Sequence, residues 1–204
     1  METLIVWGVA LRALKGQKVS GDLYLVESSE EGFLIAAIDG LGHGPQAAAA
    51  AQIAATTLRT NARDSAVQLL NRCHEELKQT RGVAMSLASF NKPLNSLWWV
   101  GVGNVEGVRL HLDENGKLSS ESIPLRGGVV GYQLPPLRPS LSRIEPHDTI
   151  IFATDGIQSG FIKGLTAKSL SEQPQQLADH LLAAYDKGTD DSLVLVVRYL
   201  GCES

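Results

Sequence analysis

Five aspartates of the 204-residue chain stand in short contexts where chemistry could happen. Asp22 opens an apolar run in SGDLY. Asp39 and Asp155 each close one and precede glycine, in AAIDG and FATDG. Asp190 and Asp191 open the last one, in GTDDSLVLVV. Taken singly, each has a turn reading, since Asp-Gly is a common turn pair and an aspartate at a strand edge is often only solvated. Taken together, neighbouring strand ends would gather them on one rim, where like charges repel and raise one another's pKa. A hard divalent cation removes that conflict, because Mg²⁺ and Mn²⁺ favour carboxylate, carbonyl and water oxygens. The residues after Asp39, GLGHGP and a block of alanines, admit two readings. One is a tight strand-to-helix turn. The other is a site in which Gly40 brings a bare backbone carbonyl close to an ion and the helix start offers N–H groups to an anion.

Other chemistries fit less well. GLGHGP has no P-loop lysine, and its alternate glycines do not match the dinucleotide fingerprint. Arg72-Cys73 lies inside a helical period, so it does not open a cysteine-phosphatase loop, and Cys73 reads as core. Cys73 and Cys202 form no metal-type spacing, which points to a reduced, intracellular setting. The net charge of −4, with scattered Lys and Arg, gives no basic surface for nucleic acid. The run TLIVWGVAL is too short for a bilayer and lacks the flanks of a signal peptide, so no membrane association is expected.

The elements that must position these residues follow from periodicity. TLIVWGVAL, SGDLYLVES and GFLIAAID read as strands, with ESSEEG as a turn. Two helices follow, one from Pro45 to Arg59 and one from about Asp64, an N-cap candidate, with Val67, Leu70, Cys73, His74 and Leu77 on one face. GVAMSLASF, SLWWVGVGN, EGVRLHLD and DTIIFATDG return to strands, with ENGK as a turn and YQLPPLRPS as a surface loop. Trp98 and Trp99 should point to opposite faces. A helical stretch from about Gln158 precedes a helix opening at Pro174, with Leu177, Leu181 and Tyr185 inward. The segment 156–171 is either substrate-facing or an ordinary surface helix. The closing strand is apolar on both faces over LVLVV, so each side of its sheet must be covered. With 44% apolar and 20% charged residues, the chain reads as one domain, 1–204, of antiparallel sheets packed together and flanked by helices.

In their order, SGD, DGLGHG before an alanine-rich helix, TDG and DDSLVLVV resemble the metal-dependent protein serine/threonine phosphatases of the PPM (PP2C-like) superfamily. Their bacterial sporulation-type branch is the most similar, and the resemblance spans nearly the whole chain. It implies an α+β fold, a four-layer αββα sandwich of two mainly antiparallel sheets. It also implies two divalent cations, Mn²⁺ or Mg²⁺, at one end. Asp39 would bridge both, the Gly40 carbonyl would reach one, and Asp155 and Asp190 would hold the other. Asp22 would sit beside the first; Asp191 falls where relatives carry Asp or Asn and ranks behind Asp190. Eukaryotic members place a histidine directly after Asp-Gly as a general acid; here that position is Leu41, and His43 is the nearest histidine. For the phosphate-binding arginine of many relatives, Lys18 lies nearest, with Arg12 further back. The implied activity is hydrolysis of phosphoserine or phosphothreonine by a metal-activated water. The short chain resembles the cytoplasmic stressosome phosphatases of that branch, with phosphorylated scaffold or antagonist (STAS-domain) proteins as partners. The alternatives are a phosphatase of an anti-anti-sigma factor and a catalytically weak binding module of the same fold.

Overall fold

The computed structural model describes residues 4–201, so Cys202 lies outside the described residues. In chain order the elements are β1 (Ile5–Arg12), β2 (Asp22–Ser29), β3 (Gly32–Gly40), α1 (Pro45–Thr60) and α2 (Ala66–Glu76). Then come β4 (Val83–Asn91), β5 (Ser96–Val102), β6 (Glu106–Leu112), β7 (Leu118–Ser122), β8 (Leu125–Arg126) and β9 (Ser140–Ser142). β10 (Thr149–Ala153), α3 (Pro174–Tyr185) and β11 (Ser192–Tyr199) close the chain. One sheet runs β1-β11-β10-β6-β7 and the other β2-β3-β4-β5-β8, with β9 added on β5. Every pairing is antiparallel except the short β5–β8 contact. The expected α+β sandwich is the one found.

Side-chain alternation explains why two strands carry an unbroken apolar run. On β3, Phe33, Ile35 and Ala37 enter the core between the sheets, while Leu34, Ala36 and Ile38 pack against the alanines of α1. On β11, Leu193, Leu195 and Val197 enter the same core, while Val194 and Val196 meet Leu177, Ala178 and Leu181 of α3. Helices therefore cover both outer faces, giving four layers. Trp99 is fully buried and Trp98 is 41% exposed, as alternation requires. The free edge of β1 is closed by Gln175, whose side chain accepts from the Val9 N–H and donates to its carbonyl.

Three local expectations need correction. The cap of α2 is Ser65, not Asp64: Ser65 and Gln68 form a reciprocal capping box, and Asp64 instead pairs with Arg72. The stretch after Gln158 holds two single 3₁₀ turns, at Phe161–Gly164 and Ser169–Ser171, not a continuing helix. β7 was not expected, because its sequence LSSES is polar and sits at a sheet edge, where no face has to be buried. No helix among the described residues is long and apolar enough to cross a membrane.

Candidate active site

The sheets share one end where the acidic residues meet. Asp22 and Asp39 are directly opposed across β2 and β3, and both point between the sheets, on the side of Tyr24 and Ala37. In the other sheet, β10 ends at Ala153, two residues before Asp155, while β11 begins at Ser192, just after Asp191. Ala153 and Val194 are register partners, so these two chain ends lie side by side. Thr154 joins the two sheets at this point. Its hydroxyl donates to Asp22 Oδ2 at 2.7 Å and accepts from the Leu193 N–H at 2.9 Å.

Glycines allow this approach through absence of a side chain, not through unusual dihedrals. A Cβ on Gly40 would overlap the Ala47 carbonyl of α1, and one on Gly156 would overlap the Asp191 carbonyl. A Cβ on Gly21 would stand 2.8 Å from the Ala47 Cβ. Left-handed backbone enters in the next turn, at Gly42 (φ 82°) and Gly44 (φ 76°). Gly40→Ala is expected to destabilise the fold by about 3 kcal/mol, the upper range for overpacking against fixed backbone. The check is a urea titration: a lowered midpoint with unchanged slope. An unchanged midpoint would mean that α1 moves aside freely.

Each carboxylate is held differently. Asp191 is buried, and its two oxygens accept the Leu14 and Gly21 N–H groups, both at 2.7 Å, so it ties down the 13–21 segment. Asp190 accepts from the Asp191 N–H at 2.8 Å. Asp155 accepts from Asn104 Nδ2 at 2.7 Å, and its own carbonyl accepts from Lys187 Nζ at 2.6 Å. The Asp39 carboxylate accepts no hydrogen bond from any described residue. Burial, then the charges of Asp22, Asp155, Asp190 and Asp191, push its carboxyl up to about 8. Burial, opposed by the Thr154 hydroxyl and joined by Asp191, Asp155 and Asp190, pushes Asp22 up to about 7. Asp155 is raised by burial and Asp190, against Lys187 and Asn104. The contrast lies at the other end of β10, where buried Asp148 is compensated by Arg109 at 2.8 Å and His111 at 2.7 Å.

The donor set is all oxygen, and its excess negative charge fits a hard divalent cation. Among the described residues, no three of these side chains meet at bonding distance from a common point. Four of them already commit an oxygen to the hydrogen bonds just described, so the carboxylates share a field rather than a contact. The remaining expected site residues stand apart from this group. His43 is exposed in the loop after Gly40, and Lys18 is exposed in the 13–21 segment; neither has a partner among the described residues. Arg12 pairs with Asp186. The cation acting on Asp155 is Lys187, and sequence reasoning missed it together with Thr154 and Asn104. For Thr154 a signal existed: it shares the inward parity of Phe152. For Asn104 and Lys187 there was none beyond turn composition.

A sequence profile described as Stage II sporulation protein E (SpoIIE) matches residues 29–200. The chain belongs to the SpoIIE family. Within that family it is a PP2C-type protein serine/threonine phosphatase. The phosphoserine phosphatase RsbX of Bacillus subtilis (strain 168) is 24% identical over 191 residues, 91% of this chain and 90% of RsbX. RsbX solved with magnesium superposes with a TM-score of 0.81 at 19% identity, covering 98% of this chain and 97% of that one. A structure solved in work on the bacterial stressosome, a modular system adapted to control secondary messenger signalling, superposes at 0.85 with 28% identity. That match covers 95% of this chain and 99% of the other. The PP2C phosphatase domain of Bacillus subtilis SpoIIE superposes at 0.77 with 18% identity, over 98% of this chain and 64% of that one.

Proposed function

We propose that this phosphatase hydrolyses phosphoserine or phosphothreonine on STAS-domain regulatory proteins of the stressosome type, in the cytoplasm, using two divalent cations, Mn²⁺ or Mg²⁺. The observation that carries the reading is Asp39: an inward carboxylate with no hydrogen-bond donor, among four others, pushed up to about 8. Asp39, the Gly40 carbonyl, Asp155 and Asp190 would hold the ions, with Asp22 beside them. Bound there, divalent cations supply Lewis acidity to water and to phosphoryl oxygens.

The chain's own residues do the rest. Thr154 reaches from the other sheet to hold the Asp22 carboxylate beside Asp39, its partner across β2 and β3. Asp191, with both oxygens on backbone N–H groups, fixes the floor of the site and leaves Asp190 the outer position. Lys187 offers the positive charge nearest Asp155, and exposed Lys18 is a second cation for the substrate phosphate. His43, exposed after Gly40, would serve as the proton donor to the departing serine or threonine oxygen. The segment 156–171, built from 3₁₀ turns, faces the phosphoprotein. Nucleic acid and membrane are not partners in this reading. Magnesium in RsbX and the stressosome setting of the 28%-identical structure support it.

The test offers the purified protein p-nitrophenyl phosphate, a phosphorylated stressosome STAS protein and a phosphorylated anti-anti-sigma factor, each with Mn²⁺ or with EDTA. Turnover only with Mn²⁺ and fastest on the stressosome substrate is expected. Turnover that persists in EDTA overturns the metal reading, and preference for the anti-anti-sigma factor overturns the substrate.

A further inference from the structure

We propose that Asn104 is a positioning residue for Asp155, fixing which oxygen of that carboxylate is offered to a divalent cation; this rests on the metal reading above. Asn104 stands where the chain leaves β5 in one sheet and enters β6 in the other. The crossing lies at the acidic end. Val102, at the end of β5, pairs with Met85 of β4, two residues from Val83, the partner of Gly40. Glu106, which opens β6, pairs with Ala153, two residues before Asp155.

The crossing is rigid on its near side. Gly103 is left-handed (φ 93°), its N–H donates to the Arg126 carbonyl at 2.8 Å, and a Cβ there would overlap the Ala84 Cβ. Asn104 is thereby carried to the Asp155 side chain, where its amide Nδ2 donates to Oδ2 at 2.7 Å. Asp155 is also fixed along its backbone. Lys187 Nζ holds its carbonyl, and Gly156 packs against the Asp191 carbonyl. One oxygen is therefore occupied and the other retains its lone pairs. An amide donor suits this task, because it orients the carboxylate without a charge that would compete with a cation. Partners of this kind typically account for 10- to 100-fold in metal affinity or activity.

The experiment is isothermal titration of metal-free wild-type protein and of Asn104→Ala with Mn²⁺, with the melting temperature of each metal-free protein measured alongside. Mn²⁺ binding about 10- to 100-fold weaker in the variant is expected. A variant that binds Mn²⁺ like wild type overturns the inference, whatever its melting temperature, since a merely structural role would move stability and leave the Kd alone. A wild-type protein that takes up no Mn²⁺ overturns the metal reading itself, an outcome distinct from the first.

Discussion

Asp39→Asn is expected to abolish phosphatase activity and, in the same molecule, to make the metal-free protein more stable. The two effects share a cause. Asp39 lies between the sheets with four other carboxylates in range and no donor of its own, which raises it from 3.8 to about 8. At pH 7 the unfolded chain carries this group ionised, whereas the fold must either protonate it or hold the charge against its neighbours. An amide of the same shape removes that penalty. After discounting for partial exposure, the gain is on the order of 2 kcal/mol, or about 4–8 °C in melting temperature for a chain of this size. Activity moves the other way. Removing an outer partner of a metal ligand already costs about 10- to 100-fold, and loss of the proposed bridging carboxylate is expected to exceed that range. Turnover of p-nitrophenyl phosphate and a melting curve in EDTA read both. A variant that keeps its activity, or one that melts lower than wild type in EDTA, refutes the account of Asp39 as a strained functional group.

The layers of this fold were legible because they depend on periods that the sequence states openly. LIAAI in β3 and LVLVV in β11 are apolar at every position, so each had to be covered twice, and α1 and α3 supply the outer covers. Polar LSSES gave no such signal, since an edge strand packed on one neighbour needs backbone partners more than side-chain burial. The α2 cap was misread by one residue because Asp64 and Ser65 are both good caps, and only the reciprocal bond with Gln68 separates them.

The acidic rim was legible in part for the same reason: strand ends punctuated by glycine can be read from sequence. What holds each carboxylate could not be. Thr154 reaches Asp22 across 132 positions and Asn104 reaches Asp155 across 51, distances at which only the tertiary fold selects the partner. Gly40 also has a second purpose that composition hid. Its bare backbone, which the sequence suggests as access for an ion, also admits the Ala47 carbonyl of α1.

Metal-free protein should lose stability as pH rises from about 4 to about 8, and Mn²⁺ should reverse that trend. Asp22 and Asp39 have folded-state values of about 7 and about 8, above the 3.8 of the free group, and Asp155 is raised as well. A carboxyl raised on folding binds more protons in the native than in the unfolded state throughout that interval. Its contribution is fully present below the unfolded value and is lost as pH climbs through the folded one. Each fully shifted group gives a slope of up to about 1.4 kcal/mol per pH unit, discounted here because these groups repel one another and titrate together. Asp186, lowered on folding, acts in the opposite sense only at lower pH, as its own range is crossed. A divalent cation takes the place of the protons, and its ligands must be deprotonated to bind, so its stabilisation grows with pH. At a concentration a hundred times its Kd the gain is about 2.7 kcal/mol, or about 5–10 °C in melting temperature. Melting curves from pH 5 to 8, with EDTA and with Mn²⁺, should therefore diverge as pH rises. If the EDTA series climbs across that interval, or if Mn²⁺ adds the same increment at pH 5 as at pH 8, the carboxylates do not face one another in the way that makes this site work.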